Sequence, residues 1–394
     1  MQVGTGQRKG AAFPLSPIPW GDCMRIKLKG LLCGCTVSGI VFYALAAMAG
    51  ASAVVDLLER PAVSAAVPSR AVLLDVTTAG KRLVAVGERG VVVLSDDGGQ
   101  TWRQAPVPTS VSLTGVAFPS PTQGWAIGHA GTVLHTQDGG ETWIKQLDGV
   151  AAAHLALEAA EANVRRAGPQ DETAQRELQA ARYLVDDGPD KPFLDLAFED
   201  ERHGFIVGAY NLIFRTDDGG QTWQPWMERV DNPRGMHFYA IQIVGTTVYL
   251  AGEQGLFLRS TDGGQHFERM ETPYEGTYFA VAANAGGEVL LAGLRGHAYW
   301  SKDQGSTFQP SQVPIPVSFS AVVREEGGTL YFANQAGRVL VSHDGGRTLT
   351  LLDAKRLPPL ASLLALGPDH LLTVGWGGVI PLPLGGASAA RGAR

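Results

Sequence analysis

Six aspartates recur along the chain in one short pattern, and carboxylates placed in this way could ligate calcium or act as acids. In each copy a Ser or Thr stands two residues before the aspartate, glycine follows it directly or one residue later, and Thr or His comes four residues after it. The six aspartates are Asp97, Asp138, Asp218, Asp262, Asp303 and Asp344.

Neither chemistry suits the pattern well. Calcium takes six to eight oxygen ligands, and one or two carboxylates followed by glycines supply too few. Acid catalysis needs carboxylates that converge on one site, whereas each of these belongs to a different copy. Asp and Ser or Thr side chains do hold tight turns through hydrogen bonds to nearby backbone, and glycine permits positive φ. We therefore predict that the six aspartates are structural, with no metal and no cofactor.

The spacing of the copies indicates a repeat architecture. They begin at residues 95, 136, 216, 260, 301 and 342, so that all but one pair are 41 or 44 residues apart. Each period contains four short runs of alternating apolar residues, which is typical of a propeller blade. A seventh repeat lacks the aspartate pattern, since Val374–Val379 matches Val86–Val91. The predicted fold is all-β: a seven-bladed β-propeller.

One pair of copies is 80 residues apart, and the extra length is rich in Ala, Leu and Glu. Ala151–Arg166 is predicted to be a helix that ends at Gly168-Pro169, because proline and glycine interrupt helices. Asp171 can cap a second helix that reaches about Val185. Residues 151–189 are therefore predicted to be an α-helical hairpin inserted between blades two and three.

The N-terminus differs in composition from the rest of the chain. Basic residues precede an uncharged apolar stretch, residues 31–55, that ends in small residues, as a signal peptide does. Residues 1–53 are predicted to be an N-terminal extension with a signal peptide, or an uncleaved membrane anchor. Either case exports the remainder to the periplasm or the outer face of the inner membrane. All three cysteines lie in this leader, so the exported domain can form no disulfide.

The domain boundaries follow from the repeats. The propeller is predicted to occupy residues 54–384, followed by a disordered tail at 385–394. The last blade has no obvious fourth strand, and residues 60–66 are the unassigned extended segment at the right distance. We therefore predict that 60–66 supplies this strand and closes the ring, because an open propeller would expose strand edges.

One face of such a propeller collects the turns between second and third strands and the connections between blades. Loops on a rigid ring commonly carry function, and Arg, Tyr and Trp are favoured at protein interfaces. We predict a partner-binding surface there. The residues predicted to form it are Arg89, His129, Tyr210, Arg295, Arg338 and Trp376.

The repeats resemble the Asp-box, or bacterial neuraminidase, repeat, and with seven blades and an export signal the chain is similar to the photosystem II stability and assembly factor family. This resemblance covers about residues 58–384. It implies a non-catalytic factor that binds a protein partner and assists assembly of a membrane complex, in the thylakoid lumen if the organism is photosynthetic. That family uses an arginine-rich surface to hold its client, and the resemblance implies that Arg89, Arg295 and Arg338, in matching turns of three blades, could form a thinner version of it. A different client, such as an envelope transporter, stays open.

Two other classes use similar propellers: sialidase-like glycoside hydrolases and carbohydrate-binding proteins. A hydrolase needs paired carboxylates about 5–10 Å apart, and the predicted second-to-third-strand turns offer only Glu88 and Glu253, from blades one and four. The net charge of −6 and the lack of basic runs give no sign of nucleic-acid binding. The expected protein is a monomer that contacts a membrane only through its leader or its partner.

Overall fold

The computed structural model describes residues 57–367 and 369–384. The predicted leader, the start at Val54 and the tail at 385–394 lie outside these residues. Within them, seven antiparallel sheets and two α-helices form, and the sheets follow one another along the chain. The all-β propeller with seven blades and a helical insertion is therefore confirmed.

The first four blades each have four strands, which are numbered along the chain. Blade one contains β1 (Leu73–Ala79), β2 (Arg82–Gly87), β3 (Val92–Ser95) and β4 (Arg103–Gln104). Blade two contains β5 (Leu113–Ala117), β6 (Gly124–Gly128), β7 (Val133–Thr136) and β8 (Ile144–Leu147). Blade three contains β9 (Phe193–Phe198), β10 (Gly204–Gly208), β11 (Ile213–Thr216) and β12 (Gln224–Pro225). Blade four contains β13 (Phe238–Val244), β14 (Thr247–Gly252), β15 (Phe257–Ser260) and β16 (Glu268–Arg269).

The last three blades follow the same order, but the final one is incomplete. Blade five contains β17 (Tyr278–Ala283), β18 (Val289–Gly293), β19 (Ala298–Ser301) and β20 (Gln309–Pro310). Blade six contains β21 (Phe319–Arg324), β22 (Leu330–Asn334), β23 (Val339–Ser342) and β24 (Thr350–Leu351). Blade seven contains β25 (Leu360–Ala365), β26 (His370–Gly375) and β27 (Gly378–Pro383).

Apolar side chains fill the spaces between neighbouring blades. The strands read as near-continuous apolar runs because both faces of each inner sheet are covered. The last blade packs on the first in the same way: Leu372 and Val374 lie in one buried cluster with Leu73 and Val76. Hydrophobic packing therefore joins blade seven to blade one.

Residues 60–66 do not close the ring as predicted. They form no strand, and their backbone bonds go to blade one: the N–H of Ala62 donates to Val107 O at 3.0 Å, and that of Val63 to Arg89 O at 3.1 Å. The prediction that this segment is the fourth strand of blade seven is wrong for the described fold.

The sequence of β27 gives a physical reason for the missing strand. In an antiparallel pair the backbone N–H and C=O groups of successive residues point alternately to the two sides of the strand. The N–H of Leu384 donates to Asp369 O at 2.8 Å, so the backbone groups of Leu384 and of every second residue before it point to β26. Those of Val379, Pro381 and Pro383 therefore point to the outer edge of β27. Proline has no N–H to donate, so only Val379 could donate a backbone hydrogen bond to a fourth strand.

The inserted hairpin is present, with α1 at Gly149–Ala167 and α2 at Glu172–Asp187. The predicted cap is also correct, because the Asp171 side chain accepts a hydrogen bond from the N–H of Ala174. Asp148 caps α1 in the same manner, and this is why α1 begins two residues before the predicted start. Neither helix of the described chain is long and apolar enough to cross a membrane.

Candidate functional site

Seven similar turns and the connections between blades make up one end of the propeller, which we call the loop face. The first strand of each blade is its inner strand. In every blade the backbone N–H of the residue after the second strand donates to the carbonyl oxygen of the residue just before the inner strand. In blade one, for example, the N–H of Glu88 donates to Val72 O at 3.1 Å. A Cβ on Gly87 would lie 2.1 Å from that oxygen, so this turn requires glycine. These bonds fix each turn against the mouth of the central channel.

The turn geometry directs several predicted binding residues outward. Arg89, Tyr210 and Arg295 each have positive φ, between 54° and 57°, and their side chains are exposed. Positive φ is costly for such residues and persists only where the surrounding structure imposes it. His129 and Trp376 are exposed on their own turns, the tryptophan by 70%.

Arg338 differs from the other two arginines. Ala336, rather than Arg338, holds the place in blade six that Arg89 and Arg295 hold in blades one and five. Arg338 is half-buried, and its guanidinium donates to Ala354 O at 3.2 Å. The described contacts do not bring the six predicted residues together, since they are distributed among six blades.

A continuous line of rings crosses the loop face from blade three to blade five. Tyr210 lies 4.7 Å from His237, measured between ring centroids. His237 lies 6.2 Å from Tyr239, and Tyr239 lies 5.1 Å from Phe279. We call these four residues the aromatic row. Only Tyr210 among them was predicted, and it is 56% exposed, whereas the other three are half-buried.

A repeated irregularity in the inner strands explains why Tyr239 and Phe279 are accessible. Each inner strand skips one residue in its pairing with the second strand, as a β-bulge does. The unpaired residue is half-exposed in all seven blades and stands at the mouth of the channel. These residues are Leu74, Thr114, Leu194, Tyr239, Phe279, Ser320 and Ala361. Aligning the seven repeats on the first buried residue of the inner strand would have found them.

The charged groups beside the aromatic row are already paired. Lys191 lies 5.0 Å from the Tyr210 ring centroid and forms ion pairs with Asp187 and Asp190. Glu253 accepts a hydrogen bond from the backbone N–H of His237 at 3.0 Å. Burial, together with the nearby charge of Glu253, raises the pKa of Tyr239. The row therefore presents ring surface beside a cation, Lys191, that is already neutralised.

The helical hairpin supports the turn that carries Tyr210. The C-terminal end of α2 leads directly to Lys191, and Arg166 near the end of α1 forms an ion pair of 2.8 Å with Glu228 in the connection to blade four. In that connection the buried side chain of Asn232 donates to Asn211, the neighbour of Tyr210, at 2.9 Å. Two separate paths thus join the insertion to one end of the aromatic row.

Two carboxylates, Asp75 and Asp195, lie on inner strands, each directly after an unpaired residue. Asp75 accepts hydrogen bonds from the N–H of Val116 in blade two and the hydroxyl of Ser362 in blade seven. Asp195 accepts from the N–H of Ile241 in blade four at 2.8 Å and from its neighbour Leu196. Burial, and to a lesser extent the charge of Asp75, raises the pKa of Asp195 to about 7. Burial also raises the pKa of Asp75.

The six repeated aspartates lie on the opposite end, in the turns between third and fourth strands. In the first copy, Asp97 accepts from the hydroxyl of Thr101 at 2.6 Å and from the N–H of that residue at 2.9 Å. These bonds, with one from Ser95, lower the pKa of Asp97 to about 2. In the other five copies the Ser or Thr two residues before the aspartate donates its hydroxyl to the carboxylate, as Ser95 does in the first. These aspartates are Asp138, Asp218, Asp262, Asp303 and Asp344.

These turns also connect neighbouring blades. Arg82 of blade one donates to Gly139 O in the turn of blade two at 3.1 Å, and Arg215 of blade three donates to Gly263 O in blade four at 2.9 Å. In the described part of the chain no three His, Cys, Asp or Glu side chains are grouped to hold a metal ion.

Comparisons with known proteins agree with the fold. A family model described as photosynthesis system II assembly factor YCF48 matches residues 59–150, 100–163 and 179–333. The photosystem II assembly lipoprotein Ycf48 of Synechococcus sp. (strain CC9902) is 35% identical over 92 residues, which are 23% of this chain and 28% of that protein. The chloroplastic photosystem II stability/assembly factor HCF136 of Oryza sativa subsp. japonica is 30% identical over 93 residues, 23% of this chain and 22% of that one. The matched segments thus span less than a third of these relatives.

Solved structures resemble most of the described propeller. A structure of YCF48 bound to D1 peptide has a TM-score of 0.58 and 18% identity, and it covers 82% of this chain and 99% of that one. YCF48 from Cyanidioschyzon merolae has a TM-score of 0.57 and 17% identity, and the match covers 80% of this chain and 96% of that one. At these identities the likeness concerns the fold alone. Because the family model matches well over half of the residues, the chain belongs to the family described as photosynthesis system II assembly factor YCF48.

Proposed function

We propose that this chain is an exported, non-catalytic scaffold whose loop face binds a segment of a membrane-protein partner and so assists assembly or stability of that partner's complex. The observation that carries the proposal is the aromatic row, a line of accessible rings on a rigid ring of sheets. Aromatic side chains are typical anchors of protein interfaces. The exposed Arg89, Arg295 and Trp376 add further residues of this kind around the same face.

The relatives suggest the type of partner. Their names describe assembly factors of photosystem II, and one structural neighbour is bound to a D1 peptide. In a photosynthetic host we propose photosystem II as the complex and the thylakoid lumen as the compartment. In another host the same face would serve a different envelope complex from the periplasm. The lipoprotein and chloroplastic names of the relatives support export.

The carboxylates of Asp75 and Asp195 bear on the alternative of a glycoside hydrolase. Asp75 and Asp195 are close enough for their charges to interact, and a raised pKa is what an acid catalyst needs. All four of their carboxylate oxygens, however, accept hydrogen bonds from the protein, three of them from backbone N–H groups. This arrangement fits a tie between neighbouring inner strands, and we therefore assign the two residues to the structure of the ring.

Affinity capture in the native host tests the proposal. The full-length chain with a C-terminal tag is purified from membranes solubilised in mild detergent, and the bound proteins are identified by mass spectrometry. We expect subunits of one integral membrane complex in near-stoichiometric amounts, and a lower level of that complex when the gene is deleted. Normal levels of every membrane complex in the deletion strain, with no subunit enriched in the capture, would contradict the proposal.

A further inference from the structure

The aromatic row has a definite length and direction, and this limits what can bind along it. It begins at the exposed Tyr210 on the rim of blade three and ends at Phe279 at the mouth of the channel. An extended chain advances about 3.3 Å per residue, so the three ring-to-ring steps correspond to roughly five extended residues. Side chains on one side of such a segment repeat about every 6.6 Å, so about two or three of them would lie along the row.

The angles between the rings favour a peptide over a carbohydrate. Successive planes are inclined by 56°, 52° and 79°. A sugar ring stacks on a flat aromatic face, and a chain of sugars would need several faces that are nearly coplanar. The rings, with centroids 4.7 to 6.2 Å apart, contact one another and present faces and edges at different angles, on which single apolar side chains can pack.

The charges beside the row indicate which residues of the peptide contact it. Lys191 is neutralised by Asp187 and Asp190, and Glu253 accepts the N–H of His237. An acidic side chain of the partner would lose hydration there without gaining a free cation, because Lys191 is already neutralised. Apolar side chains would bury ring surface at no such cost.

The mouth beyond the row is asymmetric. The unpaired residues of blades four and five are the large Tyr239 and Phe279, whereas those of blades six and seven are the small Ser320 and Ala361. This places an aromatic wall at blades four and five, beside a part of the mouth with little side-chain volume at blades six and seven. A terminal side chain of a bound segment has room to lie against Tyr239 and Phe279.

We propose that the aromatic row binds an extended, largely apolar segment of roughly five residues from the partner protein, with apolar side chains packed across the rings and the inner end seated at the channel mouth against Tyr239 and Phe279. This proposal rests on the proposed function and adds the chemistry and the direction of the bound segment. Arg89 belongs to blade one and Arg295 to the turn between β18 and β19 of blade five, so neither is part of the row.

Photo-crosslinking in the host tests the placement of the segment. A benzoylphenylalanine residue replaces Tyr210 or Phe279 in the full chain, with Leu74 on blade one as the matched position across the mouth. We expect crosslinks from positions 210 and 279 on one partner segment, roughly five residues apart, and none to that segment from position 74. Crosslinks on separate regions of the partner, or on a glycan, would overturn the proposal.

Substitution of the wall provides a second measurement. We expect Tyr239→Ala and Phe279→Ala each to reduce capture of the partner by at least about tenfold, and Leu74→Ala, at the same bulge of blade one, to leave it unchanged. Thermal melting shows that each variant is folded. If the wild-type chain captures the complex and all three variants do so equally well, the proposed function stands and this inference fails. If the wild-type chain captures no complex, the proposed function itself fails.

Discussion

The hydroxyl of Ser362 in the last blade donates a hydrogen bond of 2.8 Å to Oδ1 of Asp75 in the first blade. The two residues are 287 positions apart, and both lie on inner strands. The other oxygen of Asp75 accepts the N–H of Val116 in blade two at 3.0 Å. One carboxylate therefore ties three consecutive blades together, where a strand shared between the two ends of the chain had been expected.

Ser362→Ala should lower the free energy of unfolding by about 1 kcal/mol, the usual net contribution of one hydrogen bond. Asp75→Ala should cost more, about 1–3 kcal/mol, because it also leaves the N–H of Val116 buried without a partner. Urea unfolding of both single variants and the double variant measures the coupling between them. A double variant whose loss equals the sum of the single losses would show that the bond does not help to close the ring.

Stability should fall as the pH rises from about 4 towards 7, owing to Asp195. Its folded-state pKa is raised to about 7, above the usual aspartate value of about 4. Between these values the folded protein holds a proton that the unfolded chain has lost, so the free energy of unfolding decreases with rising pH. Asp195→Asn keeps the group neutral and should reduce this decrease.

The measurement is urea unfolding of the wild type and the Asp195→Asn variant at pH 5, 6, 7 and 8. Asp186→Asn is the matched control, since Asp186 is exposed on α2 and should leave the pH profile unchanged. If the Asp195→Asn profile has the same slope as the wild type, burial does not raise the Asp195 pKa as the structure indicates.

The repeat made the blades predictable, because the aspartate turn and the apolar runs recur at a fixed period. The hairpin was predictable from composition and from a capping aspartate at position 171. The aromatic row was not, because Tyr239 and Phe279 are large apolar residues within inner strands, where burial is expected, and a bulge leaves each of them unpaired and half-exposed. His237 lies just before β13, outside any local pattern. Contacts such as Asp75 with Ser362 join residues too distant in sequence for any local pattern to reveal.

The three arginines predicted at the interface should separate into two groups. Arg89 and Arg295 are exposed. The double variant Arg89→Ala/Arg295→Ala should therefore weaken partner capture with little change in melting temperature. Arg338 is half-buried and bonded to Ala354 O, so Arg338→Ala should cost roughly 0.5–1.5 kcal/mol of stability. Capture assays and thermal melting of the double and the single variant distinguish these effects. A double variant that melts well below the wild type would show that Arg89 or Arg295 supports the fold.

The N-terminal arm, residues 57–66, should stabilise the propeller through blade one. Leu57 O accepts the N–H of Ser110, Leu58 is buried, and Gln104 bonds both to the carbonyl of Val63 and to the N–H of Ala65. A chain that begins at Ser69 loses all of these contacts, so we expect a clearly lower melting temperature than for one that begins at Val54. Gln104→Ala should reproduce part of that loss, about 1–2 kcal/mol for its two hydrogen bonds.

The effect of further substitutions shows whether the arm stabilises the protein by packing on blade one or by pairing with β27 of blade seven. If the arm acts on blade one, Gln104→Ala destabilises the chain that begins at Val54 but has little effect on the one that begins at Ser69, where the arm is absent. If the arm instead pairs with β27, Gln104→Ala affects both chains equally, and replacement of Pro381 and Pro383 by Val should stabilise only the longer chain, because it restores two backbone donors on that edge. Melting of the two chains with each set of substitutions decides between the two arrangements, and we expect the first.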